Sequence, residues 1–357
     1  MLSYRKLAMR VLGRPLHTGG NDSPRPASQR AAAFVLTAAM LTTLAAPAFA
    51  GTWNIEDGNI TVKASGTEGK NKVSQGNNPE VEDTDTIITN SNKNTASSHT
   101  VTIETNGKND KVEVTLKDVN IDTSKQSKAA VSVTGSGNTT IKLDGDNHLT
   151  GGNGIYSNSS GSLTISGDEN DSLTAQGGDS RNGIYSVSGD VTISGGTVTA
   201  TGGNSTGSYG SGGDGIHSGS LTISGGTVTA TGGGSTGSNG LGGRGICSDS
   251  GGVTISGGST VTANGGNGSS GRDGISSSSG VTVSDGTVTA TGGNSTGSYG
   301  SGGDGIRSDG GVTISGGTVK AAGGDSKNGS GGDGIRSGDI DLSGSLELTA
   351  KAGSPNG

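Results

Sequence analysis

The residues best placed to do chemistry follow a Gly-Ile pair that recurs along the second half of the chain. Directly after the isoleucines stand Tyr156, Tyr185, His217, Cys247, Ser276, Arg307 and Arg336. In an extended strand the neighbour of an inward residue points outward, so stacked repeats would gather these side chains into one external column. Adjacent tyrosines can stack on sugar rings, and adjacent arginines can pair with uronate carboxylates through their forked donors. Tyr209 and Tyr299 supply two more aromatics, at the Ser-Tyr tip of a segment, Thr201 to Ile216, that recurs identically at Thr291 to Ile306. Insertions at one corner of a solenoid tend to gather on one side, often the binding side. Plainer accounts stand beside these: an exposed strand position accepts almost any residue, and the identical loop also reads as recent duplication.

Asp273, Asp304 and Asp333 occupy the same place in three consecutive repeats, two residues before the isoleucine. Carboxylates about one layer apart repel unless something positive intervenes. Calcium, which takes several oxygens in irregular geometry, is the natural bridge. The plainer account is that Asp forms turns, with solvent, Arg272, Arg307 and Arg336 neutralising the column. Catalysis finds less support, since an acid/base pair or an activated nucleophile needs partners within reach of one bond. His99, His148 and His217 lie far apart in sequence, and Cys247, the only cysteine, reads equally as an inert thiol. Arg307 with Asp304 is the one cluster resembling a lyase site, and we expect no enzyme.

What must position these groups is a repeat. The Gly-Ile isoleucines are Ile155, Ile184, Ile216, Ile246, Ile275, Ile306 and Ile335, in steps of 29, 32, 30, 29, 31 and 29 residues. Between them recur V-T-I-S-G-G (Val191, Val253, Val312), L-T-I-S (Leu163, Leu221) and T-V-T-A (Thr197, Thr227, Thr260, Thr287). Their period of two predicts Val191, Ile193, Val198 and Ala200 inside and the threonines outside. Glycine clusters, with Asn-Gly and Asp-Gly pairs, supply the positive backbone angles of sharp corners. Three short strands per coil of about 30 residues make an all-β solenoid, a parallel β-helix of about ten layers at roughly 4.8 Å each. The outward T-x-T face resembles those of ice-binding solenoids, but threonine is also simply a good exposed strand residue, and Lys320 interrupts the row.

Composition supports a thin core. Residues 1–50 place Arg5, Lys6, Arg10, Arg14, Arg25 and Arg30 ahead of an apolar run from Ala31 to Ala46 that ends in Ala48-Phe49-Ala50. That is the layout of a secretory signal cleaved after Ala50; a membrane anchor is the weaker alternative, since the run is rich in Ala and Thr and barely spans a bilayer. Cleavage leaves 307 residues with 18 basic and 30 acidic side chains, a net charge of −12. An acidic product without a basic stripe argues against nucleic acid and anionic lipid as partners. Every Phe and Met lies in the first 50 residues, and a slender lumen has little room for either. A lone cysteine allows no intramolecular disulfide. Residues 51–150, with alternating strands near Ile60, Val101, Val112 and Thr139 and denser charge, read as an irregular start of the same solenoid including its cap. Residues 151–350 are the regular repeats and 351–357 a tail.

The phrases V-T-I-S-G-G-T-V-T-A-T-G-G (Val191 to Gly203) and G-G-D-G-I (Gly212 to Ile216) resemble a bacterial family of secreted carbohydrate-binding β-helix proteins, similar in fold to pectate lyases. The resemblance spans about Val131 to Ala350. It implies a right-handed parallel β-helix, non-cleaving binding of plant-type or acidic polysaccharide, and bound calcium. The family's Asp carries over onto Asp214, Asp304 and Asp333, and onto Asp273 in the variant G-R-D-G-I; Asn153, Asn182 and Arg244 depart from it. The expected function is therefore a secreted binder of an extracellular polysaccharide or cell-surface glycan, through Tyr156, Tyr185, Tyr209, Tyr299, Arg307 and Arg336. The alternatives are a structural or adhesin rod without sugar specificity, and a lyase.

Overall fold

The computed structural model describes residues 50–355; the basic and apolar leader lies outside them. The described chain is a parallel β-solenoid of about 9 turns with about 29 residues per turn. Each regular coil contributes an I-x-S strand such as Ile184–Ser186, a V-T-I strand such as Val191–Ile193, and a T-V-T-A-T strand such as Thr197–Thr201. Strands of the first type stack into one sheet, while the other two types run together in a second. Pairing joins equivalent residues: Ile184 meets Ile216, Val191 meets Leu221, and Val198 meets Val228. Like therefore lies on like through the whole stack.

This register turns period-two sequence into a continuous core. Ile184, Val191, Ile193, Val198 and Ala200 are wholly buried, as are their counterparts in neighbouring coils. Each removes a small aliphatic side chain from water, and full burial of a Val or Ile side chain contributes about 1.5–3 kcal/mol. The third residue of the I-x-S strand is also inward and polar, so its hydroxyl needs a partner. Ser186, Ser248, Ser277 and Ser308 each donate to a corner carbonyl three residues on, at 2.7–2.9 Å. These inner serines tie the corner, whereas the hydroxyl of Ser218, at the same position, is buried without a partner.

Glycine serves two different purposes, where the sequence suggested one. At the corner between V-T-I and T-V-T-A, Gly196 and Gly226 have φ of 74° and 77°, a left-handed conformation that side chains resist. At the opposite corner Gly203, Gly233, Gly266, Gly293 and Gly324 are absent from the positive-φ set. There a Cβ would fall on a carbonyl of the preceding coil, as on Gly203 for Gly233. Close backbone approach, not an unusual angle, demands glycine on that side.

The first coils differ. Ile60–Ala64 pairs in parallel with Val101–Thr105, but its other edge is taken by Asn71–Gln75 in antiparallel sense, which in turn pairs with Val81–Asp83. Buried Asp83 accepts from Gly51 N–H at 2.8 Å and from the Trp53 indole at 2.7 Å, tying the chain start to this edge. An antiparallel edge with charged pairs such as Lys70–Glu82 is a poor template for further parallel strands. No helix among the described residues is long and apolar enough to cross a membrane.

Candidate functional site

The post-isoleucine residues form one column. Register pairs run Tyr156 to Tyr185, Tyr185 to His217, His217 to Cys247, Cys247 to Ser276, Ser276 to Arg307 and Arg307 to Arg336. At its start the rings touch: Tyr156 and Tyr185 have centroids 5.7 Å apart with planes at 49°, and Tyr185 meets His217 edge-on at 5.0 Å and 77°. These are favourable aromatic geometries, and they hold Tyr185 between Tyr156 and His217. Burial first, then Tyr156, Asp249 and Asp214, holds the Tyr185 phenol above its ordinary value.

The tyrosine pair borders a cleft of about 460 Å³ lined also by Thr100, Ser127, Lys128, Asn153 and Arg181. A neighbouring depression of about 400 Å³ shares Arg181 and Ser127 and adds Lys125. Lys128 and Arg181 thus border the two aromatic rings, while Lys125 and Arg181 share the neighbouring depression with Asp179. Lys125, Lys128 and Arg181 carry no repeat signature, so periodicity did not mark them; a corner following the Asn120–Asp122 strand and a corner before Ile184 bring them together.

The other proposed sugar contacts lie elsewhere. Tyr209 and Tyr299 are 81% and 96% exposed, at loop tips. Between their coils Asn239 takes the tip position, hydrogen-bonding the backbone of Ser208, and a shorter corner follows, so the two rings do not stack. Arg307 and Arg336 are register neighbours, but each has an acidic companion. Arg307 Nε is 3.9 Å from Asp309, and an Arg336 amine is 4.0 Å from Asp304. The Arg307 with Asp304 cluster imagined from sequence is therefore replaced by Arg336 with Asp304.

The aspartate column proves to be half of a longer ladder. Asn153 Oδ1 accepts from Asn182 N–H, Asn182 Oδ1 from Asp214 N–H, and Asp214 Oδ1 from Arg244 N–H, at 2.6–2.9 Å. After Arg244, which has no acceptor to offer, the ladder resumes: Asp273 Oδ1 takes Asp304 N–H at 2.9 Å and Asp304 Oδ1 takes Asp333 N–H at 2.8 Å. Asn and Asp are equivalent in this role because both present the same oxygen. Asn153 and Asn182, which look like departures from the motif, fulfil it, and only Arg244 breaks it. A parallel ladder runs Asn267, Asn294, Asp325, Ser354 at the glycine corner. Asp214, Asp273 and Asp304 each cap a backbone N–H in this way, while the exposed Asp333 ends the ladder and only donates its N–H.

Arg244 falls beside a chemically mixed cluster, the one such group among the described residues, which sequence spacing alone concealed. His217 Nδ1 lies 2.8 Å from Asp214 and Nε2 lies 2.7 Å from Asp249, two residues past Cys247 in the next coil. Burial opposes its charge, yet the two carboxylates prevail and the imidazole titrates above its ordinary value. Cys247, on the outer face but only 2% exposed, donates to Asp249 at 3.2 Å. Burial, against the pull of Arg244, pushes its thiol up to about 12. A thiol this reluctant to ionise is no ready nucleophile, and an imidazole with both nitrogens engaged is no free base.

Four segments, residues 221–243, 253–279, 281–306 and 312–335, match a family model described as a beta helix repeat. No curated protein and no solved structure matches the chain.

Proposed function

We propose that the protein is an exported, non-catalytic binder of acidic polysaccharide, with the tyrosine pair and its cationic cleft as the binding surface. The observation that carries this reading is the joining of Tyr156 and Tyr185 to Lys128 and Arg181 around one cleft. A uronate-bearing sugar needs both an apolar ring face and a donor for its carboxylate, and flat aromatic side chains with long cationic ones supply these. The rigid sheet beneath fixes the tyrosines, so little ordering opposes binding. The inert thiol and engaged imidazole favour holding a polymer over cleaving it.

The test is retention of the full chain on immobilised polygalacturonate, alginate, cellulose and neutral galactan at low and moderate salt. The expected result is retention on the uronate polymers, weakening with salt. Equal retention on neutral polymers, or none on any, overturns the acidic-glycan reading. Release of an unsaturated, ultraviolet-absorbing product would establish a lyase instead.

A further inference from the structure

We propose that Asp214, His217 and Cys247 form a binding site for one Zn2+-class divalent ion on the outer face of the first sheet, with Asp249 holding the far nitrogen of the imidazole. One donor atom each from Asp214, His217 and Cys247 lies within 4.8 Å of the others. Asp249 reaches both His217 Nε2, at 2.7 Å, and Cys247 Sγ, at 3.2 Å. Nitrogen, sulfur and carboxylate oxygen from three residues, with a fourth position for water, are a donor set of zinc, which a hard ion such as calcium would not select.

The strands preorganise the set. His217 and Cys247 are register partners in adjacent strands, and Asp214 is held by the backbone ladder through Oδ1 while Oδ2 faces the imidazole. Asp249 has a side chain 63% exposed against 13% for Asp214, so the cluster opens to solvent on one side and gives an ion a way in. The Arg244 Nε–H is buried with no acceptor, and the charge of Arg244 acts on Cys247. Sulfur as a metal-bound thiolate would be a better acceptor for this cation than the neutral thiol. On binding, the thiol proton and the imidazole Nδ1 proton leave to solvent, Sγ and Nδ1 become ligands, and Nε2–H still donates to Asp249; no oxidant or reductant is involved. Two carboxylates, one thiolate, the ion and Arg244 then sum to zero charge. Neither the glycan reading nor the ladder explains why the only cysteine stands beside this histidine.

The experiment is titration of the chelator-stripped full chain with Co2+ as an optical probe. The expected result is saturation at one ion per chain with a thiolate-to-cobalt band in the near ultraviolet, reversed by Zn2+ and not by Ca2+. Bound Zn2+ should slow modification of Cys247 by a thiol reagent at least tenfold. Cys247→Ser, which copies Ser276 at the next position of the column, should abolish the band while leaving the far-ultraviolet dichroism intact. His217→Gln should weaken Co2+ binding at least tenfold. Absence of a thiolate band in the folded chain overturns the proposal, as does unchanged affinity in His217→Gln. Because the readouts are optical and chemical, they stand or fall apart from polysaccharide retention.

Discussion

Replacing Asp304 with asparagine removes a charge while keeping the ladder. Asp304 is 5% exposed; its Oδ1 accepts from Asp333 N–H, and its own N–H goes to Asp273. Burial raises its carboxyl above the ordinary aspartate value, the Asp333 N–H opposes that, Asp273 and Asp333 add to it, and Arg336 opposes it. A unit charge one layer away, roughly 4.8 Å, costs about 3 kcal/mol at an effective dielectric of 20, before Arg336 and the ladder donor offset it. We expect Asp304→Asn to gain about 1 kcal/mol at neutral pH. Asp304→Ala, which strands the Asp333 N–H, should lose about 1–3 kcal/mol. The folded carboxyl keeps its proton where the unfolded one has lost it, so the parent chain loses stability as pH rises from the unfolded value through the folded one. Asp304→Asn lacks that slope, so the two proteins converge in acid and separate above it. Thermal unfolding followed by far-ultraviolet dichroism at several pH values reads this, at about 2 °C per kcal/mol for a chain of this size. Melting of Asp304→Asn as low as Asp304→Ala at neutral pH would refute the capping argument. A calcium-dependent rise in the parent that the variant loses would show that the column holds an ion.

Tyr156→Ala and Tyr185→Ala should each weaken uronate polymer binding about twofold to tenfold, measured by affinity electrophoresis, with unchanged melting. Arg181→Gln should lower both affinity and its salt dependence, while Arg307→Gln, remote from the cleft and paired with Asp309, should do neither. Ile216→Ala should cost about 2–5 kcal/mol by cavity formation in the stacked core, read by chemical denaturation, against less than about 0.5 kcal/mol for Thr229→Ala on the outer face. Gly233→Ala, whose Cβ falls on the Gly203 carbonyl, should destabilise by about 1–3 kcal/mol, more than Gly207→Ser, whose Cβ meets nothing closer than 3.6 Å.

The coil was legible because strand pairing in a solenoid copies the sequence period into space. Once Ile155 to Ile335 recur at about thirty residues, register follows, and with it the column from Tyr156 to Arg336. Each chemical grouping that escaped notice involves a second corner or a second coil outside the repeat. Lys128 and Arg181 border one cleft from the same corner two coils apart, and Asp249 reaches His217 from the following coil although 32 residues separate them. Reading Asp214, Asp304 and Asp333 as one motif and the asparagines as exceptions sorted residues by charge, whereas the backbone sorts them by a shared Oδ1. The same logic explains why Arg244 stands out. It is the one ladder position that cannot accept, so it breaks the chain of side-chain caps beside the coils that carry His217, Cys247 and Asp249. A repeat protein can give up one cap at small cost because the neighbouring coils still hold the strand. Departures from the repeat are therefore where chemistry is cheapest to install, and in this chain the tyrosine cleft and the cysteine–histidine cluster both lie at such departures.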